Sequence, residues 1–182
     1  MAHLFSVKKF WLPLLSLFCA VSLLTACGQN GSTTASGGAA ASSANAAPQF
    51  DLKDLNGSDV KLADFKGEKV YIKYWASWCS ICLAGMDELN TLAGQDNDFK
   101  VISIVAPNFK GEKSEADFKK WFSGLDEKNT TVLLDEGGKY AQQFGVRAYP
   151  TSFYVDSSGN LTKTVPGHND NATIAANFKD IP

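Results

Sequence analysis

The chain has 182 residues, of which 45% are hydrophobic and 20% are charged, and its formal net charge at pH 7 is −2. The sequence contains no basic run and no stripe of basic and aromatic residues, which excludes the usual signature of a nucleic-acid-binding protein. Its length is sufficient for a single folded domain of ordinary size.

The N-terminal segment has the layout of a secretory signal. Residues 1–26 contain no acidic residue, two lysines (Lys8 and Lys9) and an apolar run from Phe10 to Leu24. This order of a positive region followed by an apolar region is typical of a signal peptide. The run is shorter than the ~20 residues of a transmembrane helix, so a permanent membrane span is the less favoured alternative.

The end of this segment, residues 24–27, reads Leu-Thr-Ala-Cys and resembles the lipobox of bacterial lipoproteins. The resemblance implies that residues 1–26 are removed and that Cys27 carries a lipid. The alternative is an ordinary signal followed by a chance cysteine. Residues 27–48 are the lipidated cysteine and a Gly/Ala/Ser-rich stretch without charge, which predicts a flexible tether. We expect residues 49–182 to form the folded domain.

The domain begins with a predicted β-hairpin. Residues 50–55 and 60–62 are short strand-like segments around Asn56-Gly57, which is a strong signal for a tight turn. Residues 63–67 form a connector. Residues 70–76 are rich in aromatic and β-branched side chains and indicate a buried strand.

A helix is predicted to begin at or near Cys79 and to end near Gly94. Three residues are spaced for its apolar face: Ile81, Leu89 and Leu92. The remaining predicted elements are a strand over 101–106, a helix over 114–122 with Ser114 as N-cap, a strand over 132–134, a short helix over 139–144, antiparallel strands over 151–155 and 161–165, and a helix over 171–179. This alternation predicts an α/β fold with a mixed central sheet, helices on both faces and an N-terminal β-hairpin extension.

The sequence Cys79-Ser80-Ile81-Cys82 falls where the predicted strand passes into the helix. A cysteine at a helix N-terminus is stabilised as the thiolate, which is the nucleophilic form. Cys82 lies one helical turn deeper, so we expect Cys79 to attack a disulfide and Cys82 to resolve the mixed disulfide. A zinc site needs about four ligands, and the expected folded domain offers one histidine, His168, besides these two cysteines, so we predict no metal and no cofactor. A structural disulfide closing so short a loop would contribute little.

The segment 75–82, Trp-Ala-Ser-Trp-Cys-Ser-Ile-Cys, resembles the W-A-x-W-C-x-x-C motif of thioredoxin-like proteins, and 148–151, Ala-Tyr-Pro-Thr, is similar to their second signature. The resemblance covers essentially all of 49–182, and the hairpin is common in extracytoplasmic TlpA/ResA-type members. It implies a thioredoxin-like fold and thiol–disulfide oxidoreductase activity. It also implies a cis bond before Pro150, with a plain trans proline as the alternative. The residues expected to dock an extended substrate beside the dithiol are Trp75, Trp78, Ile81, Tyr149 and Pro150.

Two positions depart from that family. Many TlpA/ResA-type relatives carry a glutamate where this chain has Gly85, and cytosolic thioredoxins carry a buried aspartate where it has Lys73. In the functional interpretation, Lys73 is a catalytic residue beneath the dithiol: charged, it favours the thiolate of Cys82; neutral, it accepts a proton. In the alternative, its stem simply reaches to solvent.

Lys73 and the residues that follow it are also similar to the thioredoxin-like N-terminal domain of PilB-type methionine sulfoxide reductases and to surface thioredoxin-like lipoproteins of Gram-positive bacteria. Further similar stretches are 105–109, 117–121, 124–125, 135–138 and 149–150. These resemblances imply a lipid-anchored protein on the outer face of the cell membrane, in a Gram-positive organism, that regenerates a methionine sulfoxide reductase. The electrons would come from a CcdA/DsbD-like membrane protein. Since no reductase sequence follows Pro182, we expect the reductase to be a separate polypeptide.

Other functions remain open at this stage. A ResA-type protein would reduce apocytochrome c or general disulfides, and the absence of glutamate at Gly85 counts modestly against it. A disulfide-forming oxidant would have a potential of roughly −120 mV, against roughly −270 mV for a thioredoxin-type reductant. A peroxidase is disfavoured by the Ala-Ser-Trp that precedes Cys79. A lipid-anchored binding module with an idle dithiol is the alternative from a different class.

Overall fold

The computed structural model describes residues 45–182. The predicted signal peptide, Cys27 and the greater part of the predicted tether lie outside the described residues. Within residues 45–182 no helix is long and apolar enough to cross a membrane.

The described elements follow the predicted order. They are β1 (Asp51–Asp54), β2 (Asp59–Lys61), β3 (Lys69–Tyr74), α1 (Ser80–Ala84), α2 (Met86–Ala93), β4 (Phe99–Val105), α3 (Glu115–Phe122), β5 (Thr131–Leu134), α4 (Lys139–Gln143), β6 (Thr151–Val155), β7 (Leu161–Pro166) and α5 (Asn171–Phe178). Two short 3-10 turns occupy Leu62–Phe65 and Glu136–Gly138.

The strands form one seven-stranded sheet in the order β2-β1-β5-β4-β3-β6-β7. Strands β3, β4 and β5 are parallel, whereas β6 and β7 on one side and β1 and β2 on the other are antiparallel to their neighbours. The predicted thioredoxin-like fold, with its mixed sheet and hairpin extension, is confirmed. Because β3 is paired along both edges, the strand leading to the dithiol is held rigidly.

Each face of the sheet buries its own apolar cluster. Ile72 and Tyr74 point to one face, where they pack with Phe144 at the end of α4. Tyr71 points to the other face, where it lies in a cluster with Leu89 of α2 and with residues of α5. Burial on both faces follows from the continuous apolar character of the central strands.

The predicted hairpin is present, and its turn has a clear local cause. Gly57 adopts a φ of 88°, which glycine tolerates without strain. The Asp54 carboxylate accepts hydrogen bonds from the backbone N–H groups of Asn56 and Ser58 at 2.9 and 2.8 Å. These bonds satisfy the turn and align β1 with β2, and β1 then pairs with β5.

The helix after the dithiol differs from the prediction. It is divided into α1 and α2 at Gly85, whose backbone (φ −100°, ψ 14°) leaves the helical conformation. Ile81 therefore does not share the buried face of Leu89 and Leu92: it is 52% exposed, whereas each leucine is 1% exposed. The expectation of one continuous apolar face was wrong, because the break shifts the helical phase.

The predicted domain boundary lies at residue 49, but backbone contacts with the domain already begin before that residue. Ala46 forms a β-bridge with Asn160, and the Ala47 N–H donates to the Gly159 carbonyl at 3.0 Å. Phe50 is buried in the cluster beneath this segment. The chain thus enters the domain along the turn that joins β6 to β7.

Asp135 is the polar group that fixes the start of α4. It is 1% exposed, and its carboxylate accepts the N–H groups of Tyr140 and Ala141 at 3.0 and 2.7 Å. The Tyr74 hydroxyl also donates to it, at 3.3 Å. This carboxylate therefore links β3, the end of β5 and the first turn of α4.

We expect Asp135→Ala to lower the free energy of unfolding by about 2–4 kcal/mol, because it leaves buried amide donors without an acceptor. Urea unfolding of the oxidised protein measures the change. Asp126→Ala removes an exposed carboxylate from a surface ion pair and serves as the control, with an expected change below about 0.5 kcal/mol. Equal effects of the two substitutions would contradict this role for Asp135.

Candidate active site

The two cysteines of the predicted motif follow β3 at the start of α1 and are joined by a disulfide bond. Cys79 is the N-cap residue of α1, and its sulfur accepts the backbone N–H of Cys82 at 3.3 Å. Cys79 is 5% exposed and Cys82 is fully buried. The sulfur nearer to solvent is thus also the one with a backbone donor directed at it, which favours a thiolate there after reduction.

The Tyr149–Pro150 peptide bond is cis, as the sequence predicted. Thr151 pairs with Tyr74 across β6 and β3, so Pro150 stands at the edge of the sheet where β3 ends. The rings of Trp78 and Tyr149 meet edge to face, with their centroids 5.8 Å apart. The dithiol segment and the cis-proline segment are therefore in direct contact.

The predicted docking residues divide into surface and core. Trp78 and Ile81 are each 52% exposed and Tyr149 is half-buried beside them. Trp75, by contrast, is 1% exposed and packs against Phe118 with centroids 5.8 Å apart. The burial of Trp75 corrects the expectation that it docks the substrate: its side chain packs in the core instead.

Tyr149 remains a neutral phenol at physiological pH. Burial raises its pKa to about 12, and the negative charges of Asp135 and Glu112 act in the same direction. It therefore provides an apolar surface and a hydroxyl group at this site and does not serve as a base.

Lys73 is the penultimate residue of β3 and is 2% exposed, so its stem does not reach to solvent as the alternative interpretation supposed. Its neighbours on the adjoining strands are Ser103 of β4 and Ser152 of β6, whose small side chains leave room for it. Burial lowers the pKa of the Lys73 ammonium, and the charge of Glu88 opposes that change. A lower pKa makes the neutral amine, the form that can accept a proton, more accessible than it is in an exposed lysine.

Because Gly85 has no side chain, His168 and Lys73 can both lie close to it. A Cβ atom at Gly85 would lie 2.7 Å from Cε1 of His168 and 3.7 Å from Nζ of Lys73. Any side chain at this position, the glutamate of many relatives included, would displace His168. The His168 Nε2 atom in turn lies 3.2 Å from the Glu88 carboxylate at the surface. Within residues 45–182 no group of three or more His, Cys, Asp or Glu side chains could hold a metal ion.

The polar residues that hold the dithiol segment from the side of α3 form no recognisable motif in the sequence. Ser77 bonds to the buried carboxylate of Glu112, and Lys113 donates to the Ser77 hydroxyl. Glu112 stands in a charged stretch of sequence that is typical of a solvated surface. Only the pairing of β4 with β3 brings it to the dithiol.

Comparison with known families gives a match that spans most of the chain. The family model described as Redoxin matches residues 42–179, a range that contains both cysteines and the cis-proline segment. The thiol–disulfide oxidoreductase ResA of Bacillus thuringiensis is 30% identical over 135 residues, which are 74% of this chain and 76% of that protein.

Two solved structures are similar in both sequence and fold. The pneumococcal exposed lipoprotein thioredoxin from Streptococcus pneumoniae has a TM-score of 0.71 and 45% identity, and the match covers 74% of this chain and 100% of that one. The N-terminal domain of PilB from Neisseria gonorrhoeae has a TM-score of 0.67 and 27% identity, over 71% of this chain and 87% of that domain.

Burial of Lys73 predicts a distinctive pH dependence of stability. A lysine whose pKa is lower in the folded state costs stability at every pH below that value, and the cost disappears as the pH rises towards 10.5, where the unfolded lysine also loses its proton. We therefore expect Lys73→Met to stabilise the oxidised protein at pH 7. One pH unit between the folded and unfolded pKa corresponds to about 1.4 kcal/mol.

The measurement is urea unfolding of both proteins between pH 7 and 10, with the gain from Lys73→Met shrinking as the pH rises. Lys100→Met, which removes an exposed lysine from the adjacent strand, is the matched control. A gain that is constant across this pH range would show that burial does not change the pKa of Lys73.

Proposed function

The chain belongs to the redoxin family and is a thiol–disulfide oxidoreductase of the ResA/TlpA type; we propose that it works outside the cytoplasm as the reductant of a methionine sulfoxide reductase. The observation that carries the proposal is the Cys79–Cys82 disulfide at the start of α1, with exposed Trp78 and the cis-Pro150 segment beside it. Similarity to the PilB N-terminal domain and to the pneumococcal lipoprotein supports this choice of partner.

The reaction begins with the reduced protein. The Cys79 thiolate attacks one sulfur of the partner's disulfide; that S–S bond breaks, a mixed disulfide forms, and the partner's other sulfur leaves as a thiolate and takes up a proton. The Cys82 thiolate then attacks Cys79 and forms the Cys79–Cys82 bond, which releases the second partner thiolate. The partner gains two electrons and two protons, and this protein loses them.

Lys73 serves the second step. Resolution requires that buried Cys82 lose its proton, and a neutral amine in the interior can accept it. The residues beside it on the neighbouring strands, Ser103 and Ser152, have small side chains. Lys73 thus acts as the base that prepares the resolving thiolate.

The cycle requires a source of electrons outside the cytoplasm. We assign that role to a membrane protein of the CcdA/DsbD type, whose dithiol reduces the Cys79–Cys82 disulfide by the same exchange chemistry. A lipid on Cys27 would hold the protein on the outer face of the membrane, within reach of both partners. The lipobox-like residues 24–27 and the similarity to a surface lipoprotein support this location.

Reduction of apocytochrome c or general disulfides is the second candidate, and identity with ResA favours it. The two candidates share their chemistry and differ in the client protein. The packing of His168 against Gly85 separates this chain from the relatives that carry glutamate there. That difference favours the methionine sulfoxide reductase as client.

We expect the reduced protein to reduce an oxidised methionine sulfoxide reductase at least 100-fold faster than dithiothreitol at equal dithiol concentration. Stopped-flow measurements on the two purified proteins give the rate constant, and Cys79→Ser, which lacks the attacking thiol, should show no activity above background. Cys82→Ala should accumulate the mixed disulfide, visible on a non-reducing gel.

Three results would contradict this assignment. One is a rate no faster than with dithiothreitol alone. Another is faster reduction of disulfide-bonded apocytochrome c than of the reductase, which would favour the second candidate. The third is a reduction potential near roughly −120 mV instead of roughly −270 mV, which would identify an oxidant.

Docking through Trp78 leads to a separate prediction. Trp78→Ala removes an exposed ring that contacts Tyr149 beside the dithiol, so we expect KM for the protein partner to rise about five-fold or more. The rate with a small disulfide such as oxidised glutathione should stay within two-fold of wild type. Leu125→Ala, at another exposed apolar residue, is the control. An unchanged KM would show that Trp78 does not contact the partner.

A further inference from the structure

A buried carboxylate braces the segment that carries the dithiol. Glu112 lies in residues 106–114, between β4 and α3, and is 7% exposed. Its carboxylate accepts the Ser77 N–H at 2.5 Å, the Ser77 hydroxyl at 2.6 Å and the Lys113 N–H at 2.7 Å. Ser77, which is itself 5% exposed, stands two residues before Cys79. Glu112 therefore fixes both the backbone and the side chain of the residue that leads into the dithiol.

The charge of this carboxylate is balanced through the same serine. Lys113 Nζ donates to the Ser77 hydroxyl at 2.6 Å and lies 5.1 Å from the centre of the Trp121 ring. Ser77 thus accepts from an ammonium group and donates to a carboxylate. Hydrogen bonds to charged groups are stronger and more directional than those between neutral groups. A chain of three such groups holds Ser77 more firmly than an apolar contact would.

The same loop, residues 106–114, also contacts the cis-proline segment. Lys110 Nζ donates to the Val146 carbonyl at 2.8 Å and lies 5.9 Å from the centre of the Tyr149 ring. Between the two lysines, Gly111 has a φ of 81°, and a Cβ atom there would lie 3.8 Å from the Trp78 indole nitrogen. One short loop thus contacts both segments that flank the dithiol.

Burial of the Glu112 carboxylate costs free energy unless all of its hydrogen bonds are made. A buried charge loses its hydration, and replacing one partner leaves that cost uncompensated. The buried charge is therefore best explained by a need for precise alignment of Cys79 and Pro150 across the gap that a substrate disulfide enters.

We infer that Glu112 is a positioning residue of the active site, which through Ser77 fixes the backbone that presents Cys79 to the substrate disulfide. The inference rests on thiol–disulfide exchange and does not depend on which protein is the partner. It is tested with insulin, whose disulfides are reduced whatever the natural client, so that failure here is distinct from failure of the proposed function.

The test variant is Glu112→Gln, which keeps the shape of the side chain but replaces one acceptor oxygen with an NH2 group facing the Ser77 donors. At a temperature well below the unfolding midpoint, we expect the rate constant for insulin reduction to fall about ten-fold, equal to about 1.4 kcal/mol. Ser77→Ala combined with Glu112→Gln should cost little more than Glu112→Gln alone, because both remove the same contact.

The rate of Cys79 alkylation by iodoacetamide shows whether Glu112→Gln changes the alignment of Cys79 or the reactivity of its thiolate. At high pH, where the thiol is fully ionised, this small reagent needs no alignment, so its rate with Glu112→Gln should stay within two-fold of wild type. Glu115→Gln changes an exposed carboxylate three residues away and is the matched control, with both rates unchanged.

Two results would overturn the inference: insulin reduction by Glu112→Gln within two-fold of wild type, or an equal loss in alkylation and insulin reduction, which would place the effect on the thiolate itself. If Glu112→Gln does not fold, Ser77→Ala replaces it, because it keeps the buried carboxylate and the Ser77 N–H bond. A three-fold or greater loss of insulin reduction then supports the inference, and an unchanged rate overturns it.

Discussion

The parallel pairing of β3, β4 and β5 is the constraint on which the site depends. Parallel strands end at the same edge of a sheet, so the loops that follow them lie side by side. Strand β6 runs antiparallel to β3, and therefore begins at that edge, immediately after Pro150. The dithiol, the loop that contains Glu112, the turn that contains Asp135 and the cis-proline segment meet there because of strand direction alone.

Two ionisable residues, Glu112 and Lys73, are buried near the dithiol, and their hydrogen bonding differs. The Glu112 carboxylate accepts hydrogen bonds from Ser77 and Lys113. A buried polar group with its hydrogen bonds made restricts the motion of the residues that it contacts. No hydrogen bond or ion pair holds the Lys73 amine within the described residues, and the neighbouring Ser103 hydroxyl likewise has no hydrogen-bond partner there. One side of the site is therefore held in fixed geometry, whereas the amine on the other side has no fixed partner among the described residues.

The features that could be predicted from the sequence are those with a local cause. Asn56-Gly57 specified the hairpin, Ser114 the start of α3, and the spacing of Cys79 and Cys82 the reactive pair. The burial of Trp75 could not be predicted from the strand pattern. Alternation of side chains along a strand assigns Trp75 to one face of the sheet, but it does not show whether other residues cover that face at the end of the strand. The contact between Ser77 and Glu112 spans 35 residues and depends on the register of β4 against β3. Nothing in a charged stretch of sequence marks the one carboxylate that folds inward.

The bridge between Ala46 and Asn160 determines the direction from which the chain enters the domain. Val155 pairs with Val70 at the start of β3, so the turn from β6 to β7 lies at the edge of the sheet opposite to the dithiol. A force applied through the preceding chain acts on that far edge and is taken up by the backbone hydrogen bonds of residues 45–47. Residues 45–47 therefore join the domain at the end of the sheet that is farther from the dithiol, and they do not lie beside Cys79 or Pro150.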